Sequence, residues 1–288
     1  MMHQSCPRVL LFDSGIGGLS IADAVRLRLP CADMVYAGDN EGFPYGDLPE
    51  HEVVARCVAL VEGALARWPC DLVVVACNTA STVVLPMLRS RLRLPVVGVV
   101  PAIKPAAALS RNRRLGVLAT PATVDRPYLA SLIDEYAADC TVLRLGSSEL
   151  VRIAETGLAQ GWVDDEQVRA ILQPLAAGDP DTVVLGCTHF PLIREALARA
   201  MPGVRHWVDS GDAIARRVVQ LLDETTGDGA GTGQGSSTFL FTAEPPAGLR
   251  HWLEVSQTGT RGGGPQISRV SLNTARNSSI GSAGLWQQ

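Results

Sequence analysis

Short, continuously apolar runs alternate along the chain with longer stretches whose apolar residues recur at helical spacing. The runs are RVLLFDSG (8–15), DLVVVACN (71–78), LPVVGVV (94–100), RLGVLAT (114–120) and DTVVLGCT (181–188). They are rich in β-branched residues and unbroken rather than alternating, the pattern of strands covered on both faces. Each is followed by a small-residue turn and an apolar-periodic stretch; Leu19 to Leu29 and Glu50 to Arg67 read as helices. Strands and helices in alternation predict an α/β fold with mainly parallel sheets flanked by helices.

The pattern also repeats. Asp71 precedes Cys77 by six residues, and Asp181 precedes Cys187 by six. Both segments run acid, apolar strand, small residue, cysteine, polar pair, then helix. Upstream, Asp13-Ser14 and Thr120-Pro121 end comparable strands. This predicts two pseudo-symmetric lobes, each offering one cysteine at the carboxyl end of a strand, the edge at which open α/β sheets bind ligands. Further on, TGDGAGTGQGS (226–236) reads as a flexible loop, and FLFTAEPPAGLRHWLEV (239–255) as a strand and a helix. From Gln257 the composition turns to Gly, Ser, Asn and Thr, and the tail 257–288 reads as poorly ordered.

Composition narrows the function classes. The 288 residues are 47% hydrophobic and carry a net charge of −4, which suits a globular protein and argues against a nucleic-acid binder. MMHQSCPR does not read as a secretory signal, and no apolar run approaches the roughly 18 residues of a membrane span. Seven cysteines without a CxxC pair make a poor disulfide framework and a poor zinc site; reduced thiols in the cytoplasm fit better. Lys104 is the only lysine, so a pyridoxal-phosphate Schiff base would have to fall to it. There is no GxxxxGK[ST] loop.

Taken singly, Cys77 and Cys187 read as small core residues. As a pair they differ, because both sit where a strand gives way to a helix, where free backbone N–H groups favour an anion or thiolate. Each is followed by a polar pair, Asn78-Thr79 and Thr188-His189. His189, two residues beyond Cys187, falls on the same face in extended backbone and can exchange a proton with it, or simply satisfy the backbone. DSGIGG (13–18) suggests an anion cradle between strand and helix, but matches a dinucleotide fingerprint imperfectly because Ser20 stands at its last position. Asp13 suits a substrate ammonium or a thiol proton better than a phosphate. Asp39 and the Tyr45-Gly46 turn are further candidates, as is Glu149 at a helix start.

Together, DSGIGGLS, the PYG turn, VVVACNTAST, VVGVVPAIKPA, GVLATPATV and VVLGCTHFPL resemble the glutamate racemase family, a branch of the aspartate/glutamate racemases. The resemblance runs in order from about residue 8 to about 218, more loosely to 254. It implies that Cys77 and Cys187 are the catalytic acid and base, with Cys77 working on the D-isomer and Cys187 on the L-isomer. Asp13 and His189 would assist proton transfer. Asp13, Ser14, Tyr45, Gly46, Asn78, Thr79, Thr188 and His189 would bind substrate. It implies one lobe of 1–99 with 209–256 and another of 100–208, with the site in the cleft between them. It implies no cofactor and no metal, glutamate as the small-molecule partner, and D-glutamate supplied to peptidoglycan. A peptidoglycan-precursor activator and a homodimer stay open; a membrane or nucleic-acid partner is not expected. The competing readings are a sister racemase of aspartate or hydantoin or a maleate isomerase-like enzyme, a nucleotide-binding oxidoreductase, and a non-catalytic partner of a topoisomerase.

The implied chemistry explains why two sulfurs are needed. The α-proton of an amino acid is a very weak acid, and inversion removes it from one face and returns another to the opposite face. A single base tends to give back the same hand. Without a Schiff base as electron sink, the burden shifts to desolvation and preorganised donors around the α-carboxylate.

Overall fold

The computed structural model describes residues 6–226, 233–247, 249–250, 253, 266–270 and 272. Its strands are β1 (Arg8–Asp13), β2 (Asp33–Gly38), β3 (Leu72–Val75), β4 (Val96–Gly98), β5 (Arg114–Ala119), β6 (Thr141–Gly146), β7 (Thr182–Leu185), β8 (His206–Val208), β9 (Ser237–Phe241) and β10 (Gln266–Arg269). They form two sheets, ordered β10-β9-β2-β1-β3-β4 and β6-β5-β7-β8. Every pairing is parallel. The order β2-β1-β3-β4 recurs as β6-β5-β7-β8, so the internal repeat in the sequence is a repeat of topology. β9 and β10 extend only the first sheet.

Both faces of each sheet are covered, which is why the strands read as unbroken apolar runs. In the first sheet Val9, Leu11, Tyr36 and Val74 point to one side, with the helices Leu19–Arg28 and Gly211–Thr226. Leu10, Phe12, Val73 and Val75 point to the other, against the helix Glu50–Arg67. In the second sheet Leu118, Val183 and Leu185 pack under the helices Ser148–Gln160 and Asp165–Ala176. Leu115, Val117 and Val184 pack under Ile103–Leu109 and Pro127–Tyr136. Each buried valine or leucine contributes roughly 1.5–3 kcal/mol. The strand tips, and the reactive residues beyond them, therefore rest on a rigid base.

The two repeated aspartates pin the amino ends of these strands. Asp71 accepts the backbone N–H of Arg8, at the start of β1, at 2.7 Å. Asp181 accepts those of Arg111 and Asn112, just before β5, at 2.7 and 2.9 Å, and the Ser110 hydroxyl at 2.7 Å. Burial alone would raise the Asp181 carboxyl, but these donors outweigh it and hold it down at about 2. Its folded value lies below its ordinary 3.8, so its contribution is complete above about pH 4 and is lost as pH falls toward 2. Asp181→Asn is expected to cost on the order of 1–2 kcal/mol at pH 7, and nothing near pH 2. Denaturant midpoints at pH 7 and at low pH check this; a gap that stays constant with pH would contradict it.

The carboxyl-terminal tail departs from expectation at one place. Gln266–Arg269, inside the stretch read as poorly ordered, pairs with β9. Ile267 packs on one core and Val270 is buried in the other. Two apolar residues suffice because β9 supplies a ready-made edge. The rest of that tail, and most of the 226–236 loop, lie outside the described residues.

Candidate active site

The carboxyl ends of β1, β3, β5 and β7 converge on one small cavity. It is lined by Ser14, Pro44, Tyr45, Gly46, Cys77, Asn78, Thr79, Thr120, Val151, Cys187, Thr188 and His189. Cys77 follows β3 and Cys187 follows β7, so each sheet delivers one sulfur to a shared space. Both are free and buried. The cavity measures about 10 Å³, room for about one water molecule. An amino acid needs more room, which a parting of the two halves would give. Contacts that would break on parting are Asp47 with Ser148 at 2.6 Å and with Arg152, and Glu50 with Arg126 at 2.7 Å.

The two cysteines have different surroundings. Cys77 caps the one-turn helix Asn78–Ser81, accepting the Ala80 N–H at 3.5 Å while its own thiol points at the Ser14 hydroxyl 3.6 Å away. Burial, reinforced by the charge of Asp13, pushes its thiol up to about 12, so it is protonated at neutral pH. Cys187 lies 3.7 Å from Nδ1 of His189. No α-helix follows it directly; a 3₁₀ turn, Phe190–Ile193, begins after His189, with Pro191 in its first positions. Burial alone would lower the His189 imidazole. Its bonds to Cys187 and to Glu155, with the charges behind them, overcome this and raise it well above its ordinary value. These bonds thus favour the cationic form of His189 beside Cys187.

Glu155 is the carboxylate that sequence reasoning missed. It lies on the helix Ser148–Gln160, and its Oε2 is 2.7 Å from His189 Nε2. The backbone N–H of Ile16 donates to the same oxygen at 3.3 Å. The DSGIGG turn is therefore a cradle for an anion, and the anion is the protein's own Glu155. The glycines make the room: a Cβ on Gly15 would stand 2.9 Å from Glu155 Oε2, and one on Gly17 only 2.4 Å from His189 Nδ1. Glu149, the carboxylate offered by the sequence, is exposed and accepts from Gln167 at 3.0 Å, because its position on the same helix faces outward.

The remaining candidates divide by what they touch. Asp13 is fully buried just behind the cavity, accepting the Gly15 N–H at 2.9 Å and the Thr188 hydroxyl at 3.1 Å. Burial raises its carboxyl, and the neighbouring His189 charge partly offsets that. Asp39 does not line the cavity; Arg56, Thr242 and the Tyr45 phenol all bind it, Tyr45 at 2.6 Å. It anchors the Tyr45-Gly46 turn from behind, leaving that turn along the cavity wall. Asn78 and Thr79 line the cavity from β3, and the Thr79 hydroxyl meets that of Thr120 at 3.0 Å. The Asn78 side-chain nitrogen is buried without a hydrogen-bond partner, a donor waiting for an acceptor. Thr120 and Val151 were not singled out from sequence. Thr120 holds the place in the second repeat that the Asp13-Ser14 pair holds in the first, which is the signal that could have found it.

The model of the Asp/Glu/Hydantoin racemase family matches residues 20–218, and the chain belongs to that family. Within it, similar proteins include glutamate racemases. That of Shewanella loihica is 53% identical over 245 residues, covering 85% of this chain and 91% of its own. That of Actinobacillus pleuropneumoniae is 48% identical over 220 residues, covering 76% and 83%. The crystal structure of the Escherichia coli enzyme, in complex with L-glutamate and the activator UDP-MurNAc-ala, superposes with a TM-score of 0.81 at 44% identity, over 92% of this chain and 98% of that one. Among the described residues no helix is long and apolar enough to cross a membrane.

Proposed function

We propose that this chain interconverts L- and D-glutamate without a cofactor, with Cys77 and Cys187 as acid and base on opposite faces of the α-carbon. The observation that carries the reading is the presence of both buried sulfurs on one cavity, one from each sheet. High identity to glutamate racemases over most of the chain supports glutamate as substrate. D-Glutamate so formed would serve peptidoglycan synthesis in the cytoplasm, and an activator of the class bound by the Escherichia coli enzyme is a candidate partner. On this reading the chain divides into lobes 1–99 with 209–256 and 100–208; the placing of β1–β4 and β9 in one sheet and β5–β8 in the other supports it, although β10 joins the first sheet from beyond residue 256.

In the L-to-D direction Cys187 removes the α-proton and the Cys77 thiol delivers its own to the other face. The high-lying Cys77 thiol suits the second role. His189, held by Glu155, manages the proton of Cys187. Asp13 faces the substrate ammonium by way of Ser14 and Thr188, while the Asn78 amide and the Thr79 and Thr120 hydroxyls supply donors for carboxylate oxygens. In the reverse direction the sulfurs exchange roles, and the substrate ammonium near Cys77 favours its thiolate. Lys104, the one candidate for a Schiff base, is exposed, and its ammonium lies 5.2 Å from the Tyr136 ring on the outer helices. Chiral analysis of purified protein with a panel of glutamate, aspartate and hydantoin tests the assignment. Glutamate should be inverted with nothing added; a clear preference for another substrate would overturn it.

A further inference from the structure

The cysteines outside the site are not all isolated. Cys6 lies two residues before Arg8, and Cys31 two residues before Asp33. Arg8 and Asp33 are register partners at the start of the β1–β2 pair. The Asp33 N–H donates to the Pro7 carbonyl at 2.9 Å and closes this first bridge. Two residues before each member of that bridge stand Cys6 and Cys31, the latter in the turn that leads into β2. Neighbouring strands run about 4.7–4.9 Å apart, within the roughly 4.4–6.8 Å between Cα atoms that a disulfide requires. Cys31 is buried in a core cluster against which Cys6 packs, and the Cys6 side chain lies near enough to act on the Cys31 thiol. Cys31 is buried whereas Cys6 is partly exposed. Arg26 brings a guanidinium to this corner, bonded to the carbonyls of Pro30 and Ala32 on either side of Cys31.

We propose that Cys6 and Cys31 form an oxidisable dithiol, which a low-molecular-weight disulfide such as oxidised glutathione converts to a Cys6–Cys31 bond. The Cys6 thiolate attacks the small disulfide, forming a mixed disulfide and releasing one small thiol. The Cys31 thiolate then attacks the Cys6 sulfur, closes the protein bond and expels the second small thiol. The protein gives up two electrons and two protons, and the small disulfide takes them as two thiols. Burial and the neighbouring Cys6 raise the Cys31 thiol, and the Arg26 guanidinium offsets part of this. The new bond would tether β1, the Asp13–Gly18 turn and the helix Leu19–Arg28 as one closed loop. It forms at the amino end of β1, and the cavity lies at the carboxyl end, six residues or about 20 Å away. Oxidation therefore stabilises the fold and leaves the site open to substrate.

The test incubates the full chain with oxidised glutathione and reads intact mass, the linked peptide after proteolysis, Tm and glutamate racemisation. The expected result is loss of two hydrogens, a Cys6–Cys31 cross-linked peptide and a Tm rise on the order of 5 °C that dithiothreitol reverses. Racemisation should stay within about twofold of the reduced enzyme. Cys6→Ser and Cys31→Ser should each lose the cross-link and the Tm gain, with basal activity unchanged. A glutathione adduct left standing on Cys6, a linkage through any other pair of cysteines, or an unchanged Tm in the linked form would overturn the proposal.

Discussion

Cys77→Ser and Cys187→Ser are each expected to lower kcat/KM for glutamate racemisation by on the order of 10²–10⁴-fold, the usual contribution of a positioned acid or base. A serine hydroxyl nearly matches the thiol in size, so the fold should survive. It ionises far less readily, so it can neither take nor readily return the α-proton. The loss must also be equal in the two directions. L- and D-glutamate are mirror images with the same free energy, so the equilibrium constant is one and the two kcat/KM values are bound to stay equal. Asymmetry between the cysteines can appear only in kcat and KM taken separately. Polarimetric progress curves from each pure enantiomer make the measurement. Full activity in either variant removes that cysteine from the mechanism.

His189→Asn is expected to cost roughly 10²-fold in kcat/KM, because it removes the proton partner 3.7 Å from Cys187. Glu155→Gln should be milder and is the more diagnostic of the two. The carboxylate, 2.7 Å from Nε2, is one of the groups that raise the imidazole far above its ordinary value. Without its charge the imidazolium is lost at lower pH, so the alkaline limb of the pH–kcat profile should move down. The sign follows from a histidine whose folded value is raised by an anion: removing the anion lets it fall. A Glu155→Gln enzyme with reduced kcat but an unmoved profile would show that Glu155 only packs against the ring.

Much of this was legible in sequence because two signals were redundant. The buried strands β1, β3, β5 and β7 announce themselves as unbroken apolar runs, and the repeat of Asp71–Cys77 in Asp181–Cys187 marks the strand tips that meet at the cavity. Strands β2, β6 and β8 gave a weaker signal. DMVYAG and TVLRLG mix in polar residues because their ends, or one face, are less covered, and HWV is only three residues long. The site residues that escaped lie on helices. Glu155 and Val151 belong to a helix with two outward-facing charges, Glu149 and Arg152, and no one-dimensional pattern says which carboxylate turns inward. Glu149 and Glu155 differ only in the direction the helix points them, and that is settled by packing against the DSGIGG turn from the other half of the molecule. Asp39 illustrates the converse. It reads as an available carboxylate until Arg56 and Thr242, distant in sequence, are seen to occupy it.

The most direct measurement follows deuterium during L-glutamate turnover in D₂O, sampled early. If separate sulfurs serve the two faces, each D-glutamate molecule carries a solvent deuterium at the α-carbon while the unreacted L-glutamate keeps its hydrogen. D-Glutamate appearing with its original hydrogen, or deuterium entering the L-isomer ahead of inversion, would contradict the opposed pair.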